Sequence, residues 1–283
     1  MSNKLAQAGF LTLAQNSDID YLRLAYAQAM SIKLTMSDAK YAVVVDDSTY
    51  SCVTEQHRKV FDYVIPLQYN YAKDDSWKLA NEWQVFDLTP FKETIKLESD
   101  ILFTRSIDHW WTAFRLRDVV MSLGCRDYQG NINISRQYRK LFDDNDLPDT
   151  YNGLMYFRYS QFASDFFAKA RQIFSNWDYF RDSILINCRD EKPTTDVVYA
   201  IAAKILDPDN CMLPQCDFIN FTHMKNAINS WPESTPWSEL VVSEFDLPMI
   251  RINNINQCNP LHYQDKTWIT DEILKRFEYE LRI

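Results

Sequence analysis

Glycine is scarce: the 283 residues hold four, Gly9, Gly124, Gly130 and Gly153. Glycines so placed form neither a G-x-G-x-x-G fingerprint nor a Walker A loop, which excludes the familiar dinucleotide dehydrogenases and P-loop ATPases. Any bound nucleotide must be held by side chains, metal and ordinary backbone. Long apolar runs are also missing. Nothing approaches the roughly 18 residues of a membrane span, and Met1–Asn16 lacks the basic start and apolar centre of a signal peptide, so a soluble cytoplasmic protein is expected. The six cysteines (Cys52, Cys125, Cys188, Cys211, Cys216 and Cys258) are scattered without the two-residue spacing of zinc or redox motifs, and are read as buried free thiols. Positive charge is in deficit too. A net charge of −9 argues against broad polyanion binding while leaving room for a local basic groove.

What is present supports an ordered α/β protein. With 46% hydrophobic and 14% aromatic residues the chain can bury a large core. No Gly/Ser/Pro-rich linker divides it, so one domain over 1–283 is expected, with a nucleotide-binding half of about 1–105 and an acceptor-side half of about 106–283. Phe10–Ala14, Tyr41–Val45 and Tyr63–Leu67 read as strands, with a helix after Asp20 carrying Leu22, Ala25, Ala29 and Ile32 on one face. Trp77, Trp83 and Phe86 read as core aromatics. Ser160 and Thr194 or Thr195 are helix caps, Leu240–Val242 and Met249–Ile252 short antiparallel strands, and Asn259–Trp268 a loop before a final helix capped by Thr270.

The run Thr94–Phe103 is apolar and strand-like but interrupted by Glu98-Ser99-Asp100. Two carboxylates at the end of a buried strand are costly without a cation, which points to a divalent metal holding a phosphorylated substrate. Four other Asp/Glu-x-Asp triplets occur in the chain, so context must select this one. His109 reads as a helix-start or packing residue. Between Arg115 and Lys140 lie Arg115, Arg117, Arg126, Arg136, Arg139 and Lys140 against Asp118 and Asp127: either a solvated loop neutralised by the acids that follow, or a surface facing a phosphate-bearing ligand. Gly153 entering a strand suggests close backbone approach by a ligand or another chain, with Asn152 available for an amide hydrogen bond, or else a plain turn. Asp196, in the first turn of a helix, is explained by capping alone.

The order of these features resembles the GT-A class of nucleotide-sugar glycosyltransferases over most of the chain. The correspondence runs through Leu11–Asn16, Asp20-Tyr21, the strand ending at Asp46-Asp47, Lys96–Asp100, Tyr151–Phe157, Thr194–Asp196 and the late loop with His262, Lys266 and Trp268. The opening, with Pro90–Asp100, is similar to glycosyltransferases carried by tailed phages. The resemblance implies a Rossmann-like mixed sheet flanked by helices with a small antiparallel C-terminal part. Its donor would be a nucleoside-diphosphate sugar, UDP-linked, and its acceptor a hydroxyl, with hydroxymethylated cytosine in phage DNA as one candidate. It implies manganese or magnesium on Glu98, Asp100 and His262. Donor contacts would come from Ala14, Gln15, Asn16, Tyr21, Asp46, Lys96, Ser99, Asn152 and Gly153. Lys266 would stand at the leaving diphosphate, and Asp196 near the acceptor hydroxyl. Two departures stand out: Glu98 replaces the commoner Asp, leaving direct metal contact open, and the His262–Lys266 loop lacks the class's glycine. A nucleotidyltransferase with a similar metal site and a non-catalytic nucleotide-sugar-binding protein are the alternatives.

Overall fold

The computed structural model describes residues 5–133, 139–213 and 219–283; Arg136 of the basic block and Cys216 lie outside them. The strands in chain order are β1 (Ala6–Ala14), β2 (Tyr41–Val45), β3 (Tyr63–Pro66), β4 (Phe91–Leu97), β5 (Ile101–Leu102), β6 (Val119–Leu123) and β7 (Cys125–Arg126). They continue with β8 (Ile132–Asn133), β9 (Thr150–Arg158), β10 (Thr222–His223), β11 (Ser243–Asp246), β12 (Met249–Ile252), β13 (Ile255–Asn256) and β14 (Leu261–His262).

The main sheet runs β3-β2-β1-β4-β9-β6. Its first four strands are parallel, and β9 and β6 follow antiparallel. The sheet is therefore mixed, the parallel half being built by strand–helix crossovers as the opening pattern predicts. Alternate side chains divide between two cores. Phe10, Tyr41, Val43 and Val45 pack on one face and Leu11, Ala42 and Val44 on the other, as the twofold period of a strand requires. The helix Tyr21–Thr35 covers the first face, and the helices Gln161–Ser175 and Thr195–Leu206 the second. Asp20, Ser160, Thr194 and Thr270 each accept a backbone N–H at a helix start, so the capping residues were readable in the sequence.

Gly9 answers to a close approach within this sheet. A Cβ there would stand only 2.3 Å from the ring of Phe91, itself fully buried, so the ring would have to shift. Replacing Gly9 with Ala should destabilise the protein by about 1–3 kcal/mol, the usual cost of overpacking. An unchanged denaturant midpoint would refute this.

A second sheet, β5-β14-β10-β7-β8, carries the site, and β11-β12-β13 form a small antiparallel sheet. Three expectations change. The strand placed at Leu240–Val242 starts instead at Ser243, after a 3-10 turn at Trp237–Glu239. Trp83 and Phe86 are core residues, but Trp77 is half-buried on a cavity wall. Of the described cysteines Cys125 and Cys211 are buried, Cys188 is half-buried, and Cys52 and Cys258 are exposed. Among the described residues, no helix is long and apolar enough to cross a membrane.

Candidate active site

The acid triplet forms the turn between β4 and β5. Its backbone is held from three sides. Gln28, from the helix Tyr21–Thr35, donates to the carbonyls of Glu98 (2.6 Å) and Ile101 (3.0 Å), Thr12 donates to Leu97 O (2.8 Å), and Glu98 N donates to Gly153 O (3.0 Å). The contacts at Gly153 are ordinary ones within this chain: a Cβ there would stand 3.4 Å from Phe221, 3.5 Å from His262 Nδ1 and 3.6 Å from Ile101. Gln28 is fully buried and accepts from Tyr41 Oη at 2.7 Å. A glutamine on the buried side of an otherwise apolar helix was the signal for it.

His262 arrives through pairing of its strand. β14 runs antiparallel to β5 with His262 opposite Ile101, so the histidine belongs to a strand and not to the expected loop. Its Nε2 stands 3.0 Å from Asp100 Oδ2 and 3.3 Å from Glu98 Oε2. Lys266 pairs with the same Asp100 oxygen. One ligand atom from each of Glu98, Asp100 and His262 falls within a 4.8 Å cluster. Two carboxylate oxygens and one imidazole suit manganese or magnesium, manganese accepting nitrogen the more readily. A lysine resting on the buried carboxylate shows that the position already attracts positive charge.

Charge within the cluster is strongly coupled. Burial pushes the Asp100 carboxyl up, but His262 and Lys266 more than reverse this and hold it below its ordinary range. Burial, with Asp100 nearby, raises the Glu98 carboxyl. Burial pushes His262 down, yet Asp100 and Glu98 win and raise it. Behind His262 lies His223, stacked on it at 4.4 Å and kept far below the usual histidine range by burial and by the neighbouring His262.

The linkage has a definite sign. A raised His262 stabilises the metal-free protein below about pH 6.5, the unfolded value, and that contribution is lost as pH rises through the folded pKa. A metal needs the neutral ring. Manganese affinity should therefore increase with pH up to His262's raised pKa, by at most about tenfold per unit for one released proton, and then level off. Calorimetry in two buffers of different ionisation enthalpy reads the released proton directly; affinity independent of pH over this window would contradict the assignment.

Two cavities meet at the cluster. The first, 330 Å³, is lined by Gln15, Tyr21, Trp77, Ser99, Asp100 and Lys266 among others. The second, 580 Å³, is lined by Arg139, Tyr151, Gly153, Thr195, Asp196 and His223 among others. Leu79, Glu98, His262 and Gln264 border both.

Of the expected donor contacts, Gln15, Tyr21 and Ser99 line the first cavity and Gly153 the second. Ala14, Asn16, Asp46, Lys96 and Asn152 line neither. Asn16 accepts from Leu22 N and donates to Asp20, organising the helix start. Asp46 caps the turn that follows β2, accepting from Thr49 N at 2.9 Å. Lys96 has no exposed side-chain surface and pairs with Glu82 at 2.7 Å. Asp196 accepts Asn152 N (2.5 Å) through Oδ1, and its Oδ2 lies 3.7 Å from Arg139. It thereby ties a helix start to β9 while facing the second cavity.

Among the described residues of the basic block, three pair with acids. Arg115 grips Glu93, Lys140 holds Asp144, and Arg139 lies 3.5 Å from Asp149 between the rings of Phe142 and Tyr151. Sequence reading missed the 3-10 segment Leu79–Gln84 as a cavity wall, Gln264, and His223, none of which carries a local motif.

No protein-family model matches the chain, and no curated protein matches it by sequence. Solved structures do match in fold. An active-site mutant of the enzyme LgtC superposes with a TM-score of 0.55 at 11% identity, over 97% of this chain and 95% of that one. The glycosyltransferase GlyE of Streptococcus pneumoniae TIGR4 gives 0.53 at 14% identity, over 98% of this chain and 61% of GlyE. The chain has the mixed α/β GT-A fold of these glycosyltransferases.

Proposed function

We propose that the protein is a metal-dependent glycosyltransferase, moving a sugar from a nucleoside diphosphate, UDP by preference, to a hydroxyl acceptor. The observation that carries this reading is the convergence of Glu98, Asp100, His262 and Lys266 where two cavities meet, within a fold shared along its length with solved glycosyltransferases. The first cavity takes the donor, its nucleoside beside Gln15, Tyr21 and Trp77 and its diphosphate near Asp100 and Lys266. The second takes the acceptor.

Sugar transfer leaves negative charge on the departing diphosphate, and a bound manganese or magnesium ion would stabilise that charge more in the transition state than in the ground state. Glu98, Asp100 and His262 would hold it. Lys266 swings from Asp100 to the leaving phosphate, and Gln28 keeps the acid turn rigid. Asp196 lines the acceptor wall, with one oxygen engaged by Asn152 N–H and the other facing Arg139.

A screen of nucleotide sugars for manganese-dependent hydrolysis tests donor and class together. Pyrophosphate release from a nucleoside triphosphate, with no hydrolysis of any nucleotide sugar, would favour the nucleotidyltransferase reading instead. For the acceptor, the phage-like opening suggests hydroxymethylated cytosine in DNA, whereas Arg115, Arg139 and Lys140 of the basic block are each engaged by a carboxylate. Glycosylation of hydroxymethylated DNA that weakens steeply with salt would support that acceptor; salt-insensitive transfer to small hydroxyl compounds would exclude it.

A further inference from the structure

A metal-ligating imidazole is usually oriented by a hydrogen bond on its second ring nitrogen. His262 lacks one among the described residues: Nε2 faces Glu98 and Asp100, while Nδ1 is buried without a hydrogen-bond partner. Orientation must come from packing. The ring of His223 lies flat on that of His262, centroids 4.4 Å apart and planes within 6°, with Phe221 tilted against it at 5.8 Å.

The backbone enforces this stack. β10 and β14 run parallel with His223 directly beside His262, and Met224 N donates to His262 O at 2.9 Å. Residues in register on neighbouring strands point to the same face about 4.8 Å apart, which is the spacing of stacked rings. Both histidines are buried, 4% and 6% exposed. The second torsion of histidine is intrinsically broad, so an unsupported ring would sample many planes, only some of which aim Nε2 between the two carboxylates.

We propose that His223 is a positioning residue for His262, its ring face setting the plane in which Nε2 meets a cation held by Glu98 and Asp100. This rests on the metal site of the proposed function. His223 itself touches neither the cation nor the donor cavity; it acts through the ring it supports.

The test is manganese titration of the full chain, by calorimetry or by electron paramagnetic resonance of free Mn2+, in the wild type, His223→Phe, His223→Leu and Asp100→Asn. Phenylalanine keeps a flat ring and removes both nitrogens; leucine keeps bulk and removes the flat face. The Phe variant should bind Mn2+ within about threefold of wild type, and the Leu variant about 10- to 100-fold more weakly, the range for loss of a group that orients a metal ligand. A folded Leu variant with wild-type affinity overturns the proposal, as does a Phe variant as weak as Leu. If the Leu variant does not fold, the Phe variant decides alone, retained affinity supporting the stack and lost affinity overturning it. If wild type and Asp100→Asn bind Mn2+ equally, the metal site fails and this inference falls with it; Asp100-dependent binding beside an unaffected Leu variant overturns only the role of His223.

Discussion

Replacing Asp100 with Asn should lower sugar transfer by at least about 10³-fold, roughly 4 kcal/mol of transition-state stabilisation, while leaving the fold intact. The amide has the shape of the carboxylate but no charge. Asp100 is 3% exposed, and its Oδ2 is the point on which both His262 and Lys266 converge. Loss of this one oxygen anion removes a ligand and also the main partner that raises His262, so manganese binding should weaken and the pH dependence of what remains should move to lower pH. Glu98→Gln should be milder, because Glu98 keeps a third of its side chain open to the cavities and can act through water. Turnover assays with near-ultraviolet circular dichroism as the folding control decide the matter. Undiminished turnover in Asp100→Asn would end the metal-dependent reading.

Lys266→Met should shift two quantities in opposite directions. In the metal-free protein the ammonium sits on the very oxygen a cation would use, so removing it should tighten Mn2+ binding without nucleotide by about tenfold, the scale of one close like charge in a partly buried site. Turnover should fall by about 10²-fold, comparable to loss of one group aimed at developing negative charge. The side chain is 25% exposed on the wall of the first cavity and so has freedom to exchange partners. Weaker manganese binding together with unchanged turnover would show that Lys266 is a fixed structural partner of Asp100.

The linear chain already contained much of this arrangement. The all-apolar Tyr41–Val45 is a strand buried on both faces, because only a covered parallel strand tolerates five consecutive apolar residues. The caps were legible because a side-chain oxygen before an apolar helix has a local task. Glu98-Ser99-Asp100 stood out because two acids end an apolar run, and desolvation makes that costly unless a cation answers it.

Other assignments depended on depth and on which way a side chain turns. Lys96 and Glu98 are two residues apart on one run, yet one is sealed against Glu82 and the other faces both cavities, because β4 ends between them. Two arginines of the block that looked like a polyanion surface, Arg115 and Arg139, are matched to acids, of which Glu93 lies 22 positions from Arg115. Composition predicts neither.

By itself, then, the sequence determined the parallel strands of its first half, the helix caps, the acid turn and the absence of a glycine-built phosphate loop, since each follows from interactions within a few residues. Only the tertiary structure decided what meets the acids. His262 lies 162 positions from Asp100 and reaches it because β14 pairs with β5, and His223 reaches His262 because β10 pairs with β14. Register between distant strands is set by sheet hydrogen bonds and by burial of whole faces, a sum over many residues that no short stretch of chain records.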